Sequence, residues 1–212
     1  GALLFDYGTV SPDAPKITGD WESLEICNSH LPQIYIVDAR LIDISFSTIF
    51  LPIHLDERMF DERLESFNFH DLIMNQTIAE FSSVPNCEIY NIIGVYEPGE
   101  RSSITFDAGS SIEMYHMKDI WVRKNPTVAG LNDFHCHSND GGGFVLDGVN
   151  GLEFHDNINV LTIALASSED ITIENNQIIG QIHLAGSDNI IVQRNVIFGN
   201  VVNEEGSIYF SH

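Results

Sequence analysis

The sequence predicts an all-β fold in which short parallel strands stack as the coils of a solenoid. Within residues 151–198 one pattern occurs three times, beginning at Leu152, Ile171 and Ile190, and successive copies begin 19 residues apart. Each copy alternates apolar and polar residues and carries Asn at its sixth place. Such alternation is typical of a strand with one buried face. A fixed period of about 20 residues indicates stacked repeats rather than an ordinary globular domain.

The three sixth-place asparagines are Asn157, Asn176 and Asn195. Asn tolerates a left-handed backbone bend, and its side-chain amide both donates and accepts hydrogen bonds. We therefore expect these amides to stack as a ladder at one corner of the coil, each bonding the next. Asn176 should be buried, with its amide bonded to main chain at that corner.

The same pattern covers nearly the whole chain when it is projected in both directions. Seven further copies begin at Leu24, Ile42, Phe67, Cys87, Ile112, Phe134 and Ile208. The third place is apolar in every copy, so it should face the core, whereas the sixth place is Asn only from Asn139 onward. We expect a single domain, residues 1–212, of about ten coils with an Asn ladder in the C-terminal half.

This pattern resembles the right-handed parallel β-helix repeats of the pectate-lyase-like superfamily. The strands of the three strong copies and their asparagines carry the resemblance. It implies a right-handed parallel β-helix, also called a β-solenoid, and it says little about chemistry because one fold hosts many functions. In enzymes of this superfamily the substrate usually lies along the outer face of one sheet.

Other stretches predict the remaining faces of each coil. A second family of short apolar strands occupies residues 34–36, 53–55, 78–81, 104–106, 144–146, 163–165, 182–184 and 201–202. Segments 178–179 and 196–198, which follow the Asn corner, supply a third face. Three insertions, residues 56–63, 96–103 and 122–132, carry charge, Pro or Gly and are expected to project as loops. The triple glycine 141–143 is expected to form a tight corner that needs positive φ.

Composition excludes several classes of partner. Nine Lys and Arg against 31 Asp and Glu give a formal charge of −22, which disfavours nucleic acid and anionic membrane surfaces. No apolar run approaches the roughly 18 residues of a membrane span. Three cysteines are too few for a disulfide framework, and Cys87 and Cys136 fall on inward places. The chain opens without Met, as a processed product would, and we expect an extracellular or cell-surface location.

The outward second and fourth places concentrate titratable side chains in the middle coils: Glu113, Tyr115, His135, His137, Glu153, His155 and Glu174. Stacking should hold neighbours within a column about 4.8 Å apart. Imidazole and carboxylate groups at this distance can relay protons, which makes Tyr115, His137, His155 and Glu174 catalytic candidates. They can also hold a divalent cation such as Zn²⁺ or Ni²⁺. The metal candidates are His135, His137, His155 and Glu153.

The alternative interpretation is a solvated outer sheet, stabilised by like side chains aligned between coils. It is favoured because this face lacks the paired-Asp calcium cluster with a nearby Arg base that pectate lyases have, and lacks the Asn-Thr-Asp and Gly-His-Gly motifs of polygalacturonases. The sequence therefore favours a protein that is not an enzyme and has no cofactor other than a possible divalent cation. If it is an enzyme, a polysaccharide lyase or epimerase is expected.

The two ends of the sequence predict self-association. The last copy, residues 207–212, stops one place short of its Asn, and residues 1–8 read as an apolar strand. Placed tail to head, the two segments read as an ordinary coil with Gly1 at the corner. We expect a structural subunit of an extracellular or surface assembly that stacks head-to-tail into a filament. The alternatives are a carbohydrate-binding or polysaccharide-cleaving protein that uses the outward face, and a piece of a longer surface or phage protein.

Overall fold

The computed structural model describes residues 16–27, 30–31, 34–45, 48–49, 53–55, 65–75, 78–81, 84–95, 101–106, 108–124 and 130–211. These residues form 21 strands and no helix. Every pairing between the strands is parallel, so the chain winds as a β-solenoid, as the sequence predicts. The expected strand at residues 1–8 and the expected loop at 56–63 lie outside the described residues.

The first sheet contains all ten first strands that the repeat predicts. They are β1 (Lys16–Cys27), β3 (Ile34–Ser45), β6 (Ser66–Asn75), β8 (Val84–Val95), β10 (Gly109–Tyr115), β12 (Leu131–His137), β14 (Val149–His155), β16 (Glu169–Glu174), β18 (Ser187–Gln193) and β21 (Gly206–Ser211). Their register is the predicted one: Leu152 lies opposite Ile171, which lies opposite Ile190. Like places of the repeat therefore form straight columns along the solenoid.

Shorter strands form the second and third faces. The second face contains β5 (Ile53–Leu55), β7 (Ile78–Phe81), β9 (Ser103–Phe106), β11 (Trp121–Lys124), β13 (Gly143–Asp147), β15 (Val160–Ala166), β17 (Gln177–Ala185) and β20 (Val201–Asn203). The third contains β2 (His30–Leu31), β4 (Thr48–Ile49) and β19 (Val196–Ile197). The expected loop at 122–132 is wrong in part, because Trp121–Lys124 is a strand that pairs with both β9 and β13. Val122 is buried and fills the inward column there.

Counted at three strands a turn, the 21 strands make about seven turns rather than the ten coils expected. The difference arises because several strands bend around a corner and serve two faces. In β8, for example, Cys87 pairs in the first sheet while Ile92 and Ile93 continue the pairing past the corner. The number of first strands is therefore larger than the number of turns that this count gives.

Inward columns form one continuous apolar core over the described residues. The third place is buried from Ile26 to Val192, as predicted. Cys87 and Cys136 are buried in it as free thiols. Because burial disfavours the charged thiolate, it raises the pKa of both cysteines. The two thiols are therefore held protonated as small apolar core residues.

The Asn ladder is present in the predicted place. Asn176 is 2% exposed, and its Nδ2 donates to the carbonyl oxygen of Phe154 at 2.9 Å. Asn157 and Asn195 bond to it from the coils on either side. In the coils before Asn139 the sixth place is apolar and buried at Leu72, Ile92 and Met117.

One detail of the corner differs from the expectation. The left-handed residue is at the fifth place, where Asp156, Asn175 and Arg194 have φ of 55°, 54° and 51°. The bend at the fifth place turns the chain so that the following Asn points its amide inward, toward the neighbouring coils. The triple glycine behaves as predicted, since φ is 78° at Gly141 and 74° at Gly142.

Candidate functional site

The four catalytic candidates lie in a single column on the outer face of the first sheet. Tyr115 lies opposite His137, His137 opposite His155, and His155 opposite Glu174. Register alone brings them together, because each is the outward fourth place of its strand. The metal candidates His135 and Glu153 lie opposite each other in the adjacent second-place column.

The rings of the fourth-place column form a continuous parallel stack, which we call the ring stack: His70, Tyr90, Tyr115, His137 and His155. Its successive centroids are 4.6, 5.0, 5.3 and 5.1 Å apart, and its interplanar angles are 10° or less. Within the stack, the ring faces of Tyr115 and His137 lie against neighbouring rings, so mainly their edges are available to solvent. His70 and Tyr90 occupy the fourth place of the copies that begin at Phe67 and Cys87, and they were not among the candidates.

The three candidate histidines, His135, His137 and His155, each contact a carboxylate. Nε2 of His137 lies 3.3 Å from Oε1 of Glu113, and Nδ1 of His155 lies 2.8 Å from Oδ2 of Asp156. Nδ1 of His135 lies 3.5 Å from Oε2 of Glu153. Exposed pairs of this kind contribute little to stability but fix ring orientation and tautomer.

The phenols of the stack are poor candidates for a general base. Burial raises the pKa of Tyr115 above 10.0, and the nearby carboxylate of Glu88 adds to this effect. Burial also raises the pKa of Tyr90, with a further contribution from Asp71. A general base works best when its pKa lies near the operating pH. Both phenols therefore stay protonated at neutral pH.

Glu174 follows the ring stack in the same column and has its own partners. Nη2 of Arg194 donates to Oε2 of Glu174 at 3.1 Å, and Nε2 of Gln193 donates to the same oxygen. The carboxylate is thus held by a cation and an amide from the next coil. Oε2 of Glu174 therefore already has two hydrogen-bond partners.

The metal candidates are close in space but poorly aligned for a shared ion. No group of three or more His, Cys, Asp or Glu side chains within the described ranges is placed to hold a metal ion. His137 and His155 stack with their planes 10° from parallel. The lone pairs of imidazole nitrogens lie in the ring plane, so stacked rings direct them side by side rather than toward one point.

A shallow groove of about 320 Å³ lies on the same outer face near the C-terminal end of the described chain. It is lined by Asp170, Thr172, Asn189, Ile191 and Tyr209. Nδ2 of Asn189 donates to Oδ1 of Asp170 at 3.0 Å along one edge of the groove. Sequence reasoning did not single out these residues. One feature of the sequence could have indicated the groove: Ile191 and Tyr209 stand at the outward second place, where the middle coils carry polar or charged side chains.

The last coil of the described chain leaves its edge open on all three faces. Among the described residues β19 and β20 each pair only with β17, and β21 pairs only with β18. Phe210 lies opposite Val192 in the inward third-place column. It is 61% exposed, whereas Val192 is 3% exposed. Within the part of the chain that the structure describes, β19, β20 and β21 thus have a strand partner on one side only, and Phe210 is exposed beside them.

The comparisons with known proteins give no identity. The chain matches no family model, no curated protein and no solved structure. The β-solenoid fold stands on the geometry, and the pectate-lyase-like superfamily remains a prediction from the sequence. No described segment forms a helix long and apolar enough to cross a membrane.

Proposed function

We propose that this protein is a structural β-solenoid subunit that associates head-to-tail through the open edge of its last coil, in an extracellular or cell-surface assembly. The observation that carries the proposal is the contrast between Val192 and Phe210 in one inward column. A further coil stacked on β21 would bury Phe210 as β21 buries Val192. The partner in this proposal is a second copy of the chain.

The open edge supports association because unpaired strand edges are templates for further strands. In a parallel solenoid the added strand is also parallel, so the contact joins different surfaces of two copies. Such a heterologous contact continues as an open filament unless its rotation closes it into a ring. Main-chain hydrogen bonds on three faces, together with burial of the core end, would supply the binding energy.

Charge sets the conditions under which the association should occur. A net charge of −22 makes copies repel one another at long range. Salt screens this repulsion, with a Debye length of about 8 Å at physiological ionic strength. The same charge would keep neighbouring filaments from bundling. We therefore expect filament length to increase with salt concentration.

The experiment is light scattering of the intact chain over a range of salt concentrations, with electron microscopy of the same samples. Growth of unbranched threads as salt increases is the expected result. Monomers at every salt and protein concentration would overturn the proposal. Amorphous aggregates without threads would also count against it, because they lack the directional contact that the edge provides.

Binding of a carbohydrate is a second candidate function, favoured by the groove at Ile191 and Tyr209. An exposed aromatic ring beside the Asp170–Asn189 pair offers an apolar surface next to hydrogen-bonding groups, as a sugar requires. The ring stack is less suitable, since its inner ring faces are already covered. A glycan array tests this candidate: binding should be lost in Tyr209→Ala and kept in Tyr115→Ala. Binding that is kept in Tyr209→Ala and lost in Tyr115→Ala would place the sugar on the ring stack instead.

A further inference from the structure

Two arginines contact one tryptophan ring on the second face of the solenoid. Cζ of Arg101 lies 4.6 Å from the ring centroid of Trp121, and Cζ of Arg123 lies 5.9 Å from the same centroid. Both distances are within the range of a cation–π contact. Both arginines are exposed, whereas Trp121 is half-buried. The indole thus holds two guanidinium groups near each other at the surface, although their like charges repel.

The indole is itself held in place by the next coil. Trp121 lies opposite Gly143 of β13, and a Cβ placed on Gly143 would lie 2.9 Å from the six-membered part of the ring. Gly143 therefore leaves the room that the ring occupies against the strand. A guanidinium group that stacks on such a fixed ring is restricted in position, while its N–H groups stay available for hydrogen bonds.

The neighbours of Arg123 do not supply a counter-charge. Arg123 lies between Thr105 of β9 and Val145 of β13, and neither side chain is charged. Within the ranges that the structure describes, arginine–carboxylate ion pairs are formed by Arg40 with Glu65 and by Arg194 with Glu174, and none by Arg123. The guanidinium of Arg123 is thus brought beside a second cation without a carboxylate partner in the described chain.

The surrounding stretch is locally positive in an acidic chain. Residues 101–124 contain four of the nine Lys and Arg but three of the 31 Asp and Glu, whereas the whole chain has a formal charge of −22. An anion that most of this surface repels therefore meets its most favourable local charge near this stretch.

We propose that Arg101 and Arg123, held by Trp121, bind a tetrahedral oxyanion, which is the phosphate or sulfate group of a ligand. One guanidinium fork matches the two oxygens of a carboxylate in a bidentate pair. Two guanidinium groups offer more N–H donors than one carboxylate can accept in this way, and a phosphate or sulfate group has the additional oxygens. The site lies in the coils of β9, β11 and β13, so it does not depend on self-association of the chain.

The probes are inorganic sulfate and inorganic phosphate, added to the full chain at constant ionic strength. Trp21 and Trp121 are the two tryptophans of the chain, so the fluorescence of a Trp21→Phe variant reports on Trp121 alone. Calorimetry of the unsubstituted chain measures the same binding without that substitution. Both ions should bind saturably and more tightly than acetate. Absence of saturable binding by either ion, or acetate binding of equal strength, would overturn the proposal.

Three substitutions locate the site. Arg123→Gln and Arg101→Gln should each weaken phosphate binding about tenfold or more, because charge-assisted hydrogen bonds are lost. Arg194→Gln is the matched control, since it removes the same charge from an exposed arginine that is paired with Glu174 in a later coil. It should leave phosphate binding unchanged. Unchanged binding in Arg123→Gln would overturn the proposal, as would an equal loss in all three variants, which would indicate an effect of net charge alone.

Glycerol phosphate, with glycerol as its control, distinguishes the two sources of the oxyanion. Tighter binding of glycerol phosphate than of inorganic phosphate would show that the site takes a phosphate ester, and equal or weaker binding would indicate the free ion. Binding of glycerol as tight as that of glycerol phosphate would overturn the proposal. Light scattering of the same samples tests self-association separately, and a chain that stays monomeric should still bind phosphate.

Discussion

Asn157 donates two hydrogen bonds to a single atom, Oδ1 of Asn176, from its backbone N–H and from its Nδ2, each at 2.9 Å. The two donors use both lone pairs of that oxygen. The amide of Asn176 in turn donates to Phe154 and to Asn195. A buried corner is thus fully hydrogen-bonded by one side chain per coil, as a stable buried polar network requires.

Replacing Asn176 with Leu should therefore destabilise the fold by about 1–3 kcal/mol, because buried donors on Asn157 lose their acceptor. The free energy of unfolding, measured by denaturant titration, checks this. Gln181→Leu is the control: Gln181 is exposed in β17, the strand that follows Asn176, and its replacement should change the free energy by no more than about 0.5 kcal/mol. Equal effects of the two substitutions would mean that the ladder does not contribute to stability.

Gly180→Ala should destabilise the fold more than Gly186→Ala. An added Cβ at Gly180 meets the carbonyl oxygen of Leu161 at 1.6 Å, and rigid backbone must move, at a cost of about 3 kcal/mol or more. At Gly186 nothing lies within 4 Å of an added Cβ, but φ is 57°. Only the left-handed backbone conformation therefore destabilises the Gly186 variant, by about 1–2 kcal/mol. Thermal unfolding of both variants measures the difference. The reverse order would show that backbone conformation, not close approach, explains these glycines.

The register of the first sheet could be predicted from sequence because each repeat place has a fixed physical environment. Third places are apolar because they are buried, and the Asn of the sixth place follows from a corner that needs a donor and an acceptor at once. Strand β11 was missed because it follows a coil whose insertion obscures the period. The left-handed residue was assigned one place too late, since Asn is suited to either the bend or the ladder, and only geometry separates them.

The sequence predicted which residues of the candidate site are neighbours, but it did not predict how their side chains are oriented. Periodicity placed Tyr115, His137 and His155 in one column, and the pairing confirms it. Whether their rings would stack face to face or converge on a ligand depends on side-chain torsions, which no repeat pattern contains. The groove at Ile191 and Tyr209 was missed for a related reason: one outward apolar residue is ordinary on a surface, and only its surroundings make a cavity.

The phenols of Tyr90 and Tyr115 should titrate above pH 10.0, because burial raises the pKa of both. Above that pH the unfolded chain loses these protons while the native chain keeps them. Stability from this source is therefore complete below pH 10.0 and is lost as pH rises through the native pKa. Ultraviolet absorbance of the phenolate measures the titration. The double variant Tyr90→Phe, Tyr115→Phe should lack the part of the absorbance change that occurs above pH 10.0 from these two phenols. Ionisation of both phenols at or below pH 10.0 would contradict the stacked environment.

Calorimetry with Zn²⁺ and Ni²⁺ should show no saturable binding at the outer face. The parallel rings of His137 and His155 direct their nitrogens side by side, and the carboxylate of Glu174 is already held by Arg194. Binding of one ion per chain that disappears in His137→Gln and in His155→Gln would contradict this expectation. Such a result would restore the metal site that the sequence suggests.

Adjacent substitutions at the end of the solenoid should separate association through the edge from association through the outer face. Phe210 and Tyr209 are 61% and 62% exposed, and as neighbours in β21 they point to opposite sides of the sheet. Phe210→Asp places a charge in the column that an added coil must bury, so it should abolish the growth of threads that light scattering and electron microscopy would follow. Tyr209→Asp adds the same charge on the outer face and should leave them. Both variants should keep the unfolding transition of the parent chain, because neither side chain is buried in one copy. Threads that survive Phe210→Asp but not Tyr209→Asp would place the contact on the outer face and end the head-to-tail proposal.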